Sequence, residues 1–349
     1  MVARMKQNLM LVGWKIAPML AGEIAADRYP RTDFFELSRR LDAKILSFNE
    51  IEQEADWLIQ MARKIGGKQL ALAVAGFRHR SEFDVVFTSG EDIGIPLAIF
   101  LKLAGIRKHH LMIGHRLSPM KKALLWRLFK LHTHISKVLV YSATQRDTVL
   151  SKLHAPRESV VQIPFMADQN FFRPMPEIQE KHQICSVGLE WRDYPTLIEA
   201  AQNLDCQVKI AAASLWSKHK NETEEQPLPP NVDARGYKYP ELRQLYAESK
   251  IVVIPLYQND FQAGITSILE AMAMAKPLIL TRTIGQTDTI VDGETGVYVE
   301  PGDVEGLRQK IKHLLNNEAE RRRLGCNARR AFEEQFTLDH LVERIGELA

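Results

Sequence analysis

The sequence predicts an α/β protein made of two doubly wound domains, and three observations carry that expectation. Short apolar runs alternate with amphipathic segments almost from end to end, the pattern of parallel strands joined by helical crossovers. A proline-rich, charged stretch, Phe172-Arg173-Pro174-Met175-Pro176-Glu177, interrupts the alternation midway. At 349 residues and 45% apolar, the chain is long enough to favour two cores over one.

In the first half the apolar runs Leu9–Val12, Ala43–Leu46, Val85–Thr88, Leu111–Gly114, Val138–Tyr141 and Val160–Ile163 read as strands. Helical spacing fills the gaps over about Glu50–Ile65, Ile93–Leu103, Lys121–Leu131 and Ala143–Leu153. After the linker a second series follows: Ile184–Val187, Val208–Ala212, Ile251–Ile254, Leu278–Leu280 and Gly296–Val299. Residues 217–231, rich in Lys, Glu and Pro, read as a solvated loop. Charged helices over Val304–Leu315 and Glu318–Glu334 precede a last one over Leu338–Leu348. The expected division is 1–168, 169–334 and a terminal helix within 335–349 that packs back on the first domain.

Cys185, Cys206 and Cys326 are far apart and follow no metal-ligand spacing, so inert thiols in a reducing compartment are expected. No apolar run reaches bilayer length, and residues 1–8 lack the core of a secretory signal, so a cytoplasmic protein is expected. The net charge of +3 conceals a tract, Ile93 to Arg146, with ten Lys or Arg and no Asp or Glu, which would draw in anions. Within it, residues 119–132 mix Trp126, Phe129 and leucines with three lysines and Arg127. That composition suits either a helix lying on an anionic membrane or an ordinary packed helix.

The most telling stretch runs from Phe261 to Pro277. A buried strand leads through a polar loop into a helix with Ile265, Ile268, Leu269 and Met272 on one face. The unpaired N–H groups of its first turn attract an anion such as phosphate, and Gly264 lets a ligand approach the backbone. One carboxylate, Glu270, sits inside the otherwise apolar helix.

Several segments in order resemble the donor domain of GT-B glycosyltransferases, most closely the retaining enzymes called family 4. They are Val187-Gly188 with Arg192 and Leu197-Ile198-Glu199-Ala200, Val252-Val253-Ile254-Pro255, Leu269-Glu270-Ala271-Met272-Ala273, Asp292-Gly293-Glu294-Thr295-Gly296 and Glu300-Pro301-Gly302. The resemblance covers about residues 138–335 and implies two Rossmann-like domains facing across a cleft. It departs from the family where Gln262 replaces the first of two glutamates eight positions apart, where Ala275 replaces a glycine, where Leu189 replaces an arginine, and where no paired-glycine loop occurs near Trp14.

What the resemblance implies is a transferase that moves a sugar, with retention, from a nucleotide-diphosphate sugar to an acceptor hydroxyl on a lipid, glycan or small molecule. Glu270 would bind the nucleotide ribose, and Arg192 would hold the diphosphate as negative charge builds on it. Gly188, Ala263, Gly264, Ile265 and Gly236 would complete the donor side, with Gln262 and His115 reaching the sugar. Trp14, Glu91 and Asp92 are candidates on the acceptor side, although the two carboxylates also suit a helix start. No Asp-X-Asp triplet occurs, so neither metal nor other cofactor is expected. Neither G-x-G-x-x-G nor a P-loop is present, and no stacking platform marks a nucleic-acid binder. The alternatives are a non-catalytic nucleotide-sugar-binding protein and a sugar-nucleotide epimerase or phosphorylase.

Overall fold

A computed structural model describes residues 7–117, 119–202, 204–212, 228–259, 261–286 and 288–349. The chain forms two compact units. The first comprises residues 1–21, 32–164 and 339–349, and the second comprises residues 22–31 and 165–338.

The first unit holds a six-stranded sheet made of β1 (Asn8–Leu11), β2 (Ala43–Leu46), β3 (Val85–Thr88), β4 (His109–Ile113), β5 (Lys137–Val140) and β6 (Val160–Gln162). The order is β2-β1-β3-β4-β5-β6 and every pairing is parallel. Parallel strands buried on both faces read as continuous apolar runs, which is why they stand out in the sequence. The sequence reading does not include α1 (Leu20–Ala25), which buries no residue and whose residues from Gly22 onward belong to the second unit, or α2 (Asp33–Arg40), only eight residues long. The expected helix over Glu50–Ile65 is two, α3 (Phe48–Gln53) and α4 (Trp57–Arg78). The latter runs past Gly66 and Gly67, where the backbone kinks with Gly67 at φ +77°. Further on lie α5 (Glu91–Leu103), α6 (Met120–Leu128) and α7 (Ala143–Leu153).

On α6 the tryptophan is a core residue, 1% exposed, whereas Met120, Leu124, Leu125 and Leu128 are exposed. Trp126 therefore anchors the helix to its own domain, and any outward apolar contact falls to the methionine and leucines.

The second unit repeats the plan with β7 (Gln183–Val187), β8 (Gln207–Ala211), β9 (Val232–Arg235), β10 (Ile251–Ile254), β11 (Leu278–Thr281) and β12 (Val297–Val299). Their order is β12-β11-β10-β7-β8-β9, again all parallel. Strand β9 escaped the sequence reading because an edge strand spelled Val-Asp-Ala-Arg has no apolar run. The expected loop at 217–231 falls mostly outside the described residues. Helices α8 (Tyr194–Ala201), α9 (Tyr239–Glu248), α10 (Ile265–Ala273), α11 (Val304–Asn316) and α12 (Glu318–Gln335) cover the sheet. Helix α13 (Leu338–Gly346) follows, with residues from Asp339 onward in the first unit. Among the described residues no helix is long and apolar enough to cross a membrane.

From β7 the chain winds one way through β8 and β9 and the other way through β10 to β12. The order reverses between β7 and β10, and in sheets of this kind ligands bind outside the carboxyl ends of the strands at that reversal.

Candidate functional site

The loops that leave β7 and β10 are tied together where the strand order reverses. Tyr257 donates its N–H to the Trp191 carbonyl at 3.1 Å, and Asp193 donates to the Pro255 carbonyl at 3.1 Å. Between them lies the Arg192 side chain, 5% exposed. Its Nε donates to the Val187 carbonyl at 2.9 Å, Nη1 to the Glu190 carbonyl at 2.9 Å, and Nη2 to Ser267 Oγ at 3.1 Å. A guanidinium has five N–H groups, and among the described residues three of them are bonded to protein acceptors. Burial lowers its proton affinity, opposed by the nearby tyrosines and by Glu270 and Glu190.

Two glycines make room for that guanidinium. Gly188 sits at φ +105°, and a Cβ there would lie 2.3 Å from Arg192 Nη2. Gly264 sits at φ +78°, and a Cβ there would meet Arg192 Nη1 at 3.3 Å. The left-handed backbone favours glycine at both positions, and at Gly188 the closeness of the guanidinium adds to that.

Gly264 is also the N-cap of α10, and eight of that helix's nine residues are buried. Among the described residues the N–H groups of Gly264, Thr266 and Ser267 meet no protein acceptor, while Ile265 donates to the Gln262 carbonyl at 3.4 Å. These free donors and the helix dipole point at the same place as Arg192. The loop before them is held from behind: Gln286 Nε2 donates to the Ala263 carbonyl at 3.2 Å, and Gly285 packs directly on the backbone of Phe261.

Glu270 lies one and a half turns along α10 and is 4% exposed. Tyr246, from α9, donates its hydroxyl to Glu270 Oε2 at 2.8 Å. Burial pushes the Glu270 carboxyl up to about 7, even though the Tyr246 hydrogen bond and the Arg192 charge pull the other way.

These groups border one cavity of about 880 Å³. Its walls are Val187 to Glu190 with Arg192, Phe261 to Ser267 with Glu270, the stretch Tyr237 to Pro240 with Leu242, and Glu23, Arg28 and Tyr29 from the N-terminal excursion into this unit. Gly188, Arg192, Gln262, Ala263, Gly264, Ile265 and Glu270 all border it. Gly236 does not: it is exposed beside Tyr237, and its neighbours supply the wall. Phe261, on the cavity wall, is 38% exposed and meets the 39% exposed Trp191 edge to face at 5.7 Å.

The remaining candidates lie in the first unit. Glu91 is 3% exposed, and its carboxylate accepts the N–H groups of His115 at 2.9 Å and Arg116 at 3.0 Å, with Lys122 Nζ at 2.7 Å. Burial alone would raise this carboxyl, yet the Lys122 hydrogen bond and charge hold it below its ordinary value. Glu91 thus clamps the loop that carries His115 and is neither a solvated helix-start residue nor open to an acceptor. Asp92 is exposed and pairs with Lys122 at 2.9 Å. His115 bonds through Nε2 to the Ser89 carbonyl at 3.0 Å and lies 5.8 Å from the Tyr141 ring. Trp14 packs against Phe34 at 5.8 Å. Sequence reasoning missed Ser267, Tyr246, Gln286 and the wall from residues 23–29. No local pattern marks them, because each acts on a partner distant in sequence.

Residues 183–317 match the family model described as "Glycosyl transferases group 1". The capsular polysaccharide biosynthesis glycosyltransferase CapM of Staphylococcus aureus is 37% identical over 100 residues, 29% of this chain and 26% of CapM. The O-antigen chain mannosyltransferase C of Escherichia coli is 37% identical over 94 residues, 26% of this chain and 25% of that one. The chain thus spans about a quarter of the length of these two relatives. Among solved structures, a glycosyltransferase from Rickettsia africae superposes with a TM-score of 0.71 at 18% identity, covering 99% of this chain and 98% of that one. HepE from Anabaena, in complex with UDP and glucose, gives 0.70 at 16% identity, covering 98% of each chain. The shared architecture is the GT-B fold.

Proposed function

We propose that this chain, whose residues 183–317 form a group 1 glycosyltransferase domain, moves a sugar from a nucleotide-diphosphate sugar to an acceptor hydroxyl. The observation that carries this reading is the convergence of free N–H donors at Gly264, the Arg192 guanidinium and the buried Glu270 carboxylate on one cavity. The diphosphate sits on the helix end and the Arg192 guanidinium. Glu270 turns its other oxygen, Oε1, to the ribose hydroxyls. The sugar lies against Gln262, whose amide bonds a hydroxyl without bringing a charge to the reacting centre.

As the glycosidic bond breaks, charge builds on the leaving diphosphate, and donors already in place stabilise it without reorganising. With a guanidinium and a helix dipole there, transfer needs no metal. Transfer proceeds with retention, as in the resembling enzymes, and the leaving phosphate takes the acceptor proton. The relatives' polysaccharide and O-antigen chemistry supports a glycan or lipid-linked acceptor. The exposed Met120, Leu124 and Leu128, beside Lys121 and Arg127, bring the enzyme to an anionic membrane surface where a lipid-linked acceptor would reside.

The test is thermal stabilisation by UDP, GDP and ADP, followed by release of the nucleotide from the matching sugar donors with and without EDTA. A hundredfold excess over Kd adds roughly 2.7 kcal/mol to stability. Slow donor hydrolysis supports the enzyme. Stabilisation with no turnover over long incubation would instead identify a binding protein.

A further inference from the structure

Residues 22–31 leave the first half of the sequence and belong to the second unit. They are fastened there by more than proximity. Asp168, 4% exposed, accepts the Arg31 backbone N–H at 2.8 Å and its Nε at 2.9 Å. Arg243 donates to the Asp27 carboxylate at 3.0 Å while its guanidinium lies 4.3 Å from the centre of the Phe171 ring. Tyr29 meets Tyr239 edge to face with ring centres 4.5 Å apart. The fastened segment then contributes Glu23, Arg28 and Tyr29 to the cavity wall.

We infer that this segment is a strap that forms the nucleobase wall of the donor site, with Tyr29 and the Tyr237–Tyr239 loop enclosing the base. The inference rests on the nucleotide reading above. A nucleoside diphosphate with its phosphates at Gly264 and its ribose at Glu270 carries its base on the ribose carbon that faces away from the phosphates. Once the α10 loop and the Gly188 loop are taken by phosphate, sugar and ribose, the lining that remains is Tyr237 to Pro240 with Leu242, and the strap. Three of those residues are tyrosines, and a tyrosine ring stacks on any base through its π face. The wall is also continuous with the ribose carboxylate. Tyr239 touches Phe172 at 6.4 Å, Phe172 touches Tyr246 at 6.1 Å, and Tyr246 holds Glu270. The ligand class is thus a nucleobase presented on a ribose diphosphate.

The experiment compares binding of UDP, GDP, ADP and inorganic pyrophosphate to the full chain, by calorimetry, in the wild type, Tyr29→Ala and Tyr29→Phe. Loss of one stacking wall costs about tenfold in Kd, so Tyr29→Ala should weaken the tightest-binding nucleotide by that factor while pyrophosphate binds as before. Tyr29→Phe keeps the ring and should bind like the wild type. Asp168→Asn, which loosens the strap's anchor, should weaken the nucleotide but not pyrophosphate. The strap role is overturned if Tyr29→Ala holds the nucleotide as tightly as the wild type, or loses pyrophosphate by the same factor. A wild type that binds pyrophosphate as tightly as every nucleotide overturns the base wall and leaves the diphosphate site standing. A wild type that binds neither removes the proposed function together with the strap.

Discussion

Glu270→Gln should make the ligand-free protein more stable at pH 8 and leave it unchanged near pH 4.5. The carboxyl has an ordinary value of 4.5, and burial raises it to about 7 in the folded state. A carboxyl raised on folding contributes its stability fully below its unfolded value and loses it as pH climbs toward the folded value. The window is therefore about 4.5 to 7, and above it the penalty is constant. At roughly 1.4 kcal/mol per pH unit, the ionised carboxylate costs the second unit about 3 kcal/mol at pH 8. Glutamine has the same shape, still accepts the Tyr246 hydroxyl, and never ionises. Hydrogen exchange of the α10 amides at pH 5 and pH 8 reads this unit alone, which matters because two units need not unfold together. Other titrating groups cancel in the difference between variant and wild type. A stability difference that stays the same at both pH values would refute the reasoning, because it would mean the carboxylate pays no burial penalty in the empty site. Nucleoside diphosphates should bind the wild type more tightly as pH rises through 7, and bind the glutamine variant weakly at every pH.

Other substitutions test neighbouring parts of the argument. Ala275 ends α10 at φ +56°, a left-handed backbone that glycine tolerates better, so Ala275→Gly should raise stability by about 0.5–1 kcal/mol in urea titrations. Gly188→Ala would place a methyl group against Arg192; pyrophosphate affinity should fall at least tenfold, and unchanged affinity would remove Arg192 from the diphosphate site. The pair Leu124→Asp and Leu128→Asp should abolish sedimentation with vesicles containing phosphatidylserine while leaving nucleotide affinity intact. Wild-type sedimentation should itself weaken with salt, and vesicle binding that survives both aspartates would assign the membrane contact elsewhere.

Every strand described above except β9 left an apolar run in the sequence, edge strands included. Ile251–Ile254 and Val85–Thr88 lie inside their sheets and match the sequence expectation to the residue, because nearly every position is apolar and buried; Ala43–Leu46 matches too, although it is an edge strand with Lys44 exposed, because its other three residues are apolar. Strand β9 alternates polar residues at an edge, and α1 buries nothing, so neither left a hydrophobic signal. The site divides in the same way. Gln262, Gly264 and Glu270 were legible because one loop and one helix carry all three. Tyr29 stands more than two hundred residues from Tyr239 in the chain, and only the folded chain pairs them. The basic tract was legible as charge, but which of its apolar residues face inward was not: Trp126 is core and Leu124 is exposed. Glu91 read as a helix-start carboxylate because its three partners all come from the loop and helix 24 to 31 residues later.

Neither unit is a single stretch of chain, and that bears on how the protein can be cut, swapped or synthesised. The first unit is completed by residues 339–349, where the Leu348 carbonyl meets the His109 ring at 2.7 Å and Leu341 and Ile345 are buried. During translation the first sheet can therefore assemble early but must wait for the last helix before its packing closes. A fragment excised at the proline-rich linker would lack residues 22–31, the piece that borders its own cavity. Chimaeras that trade donor specificity between relatives should carry those ten residues along with the graft.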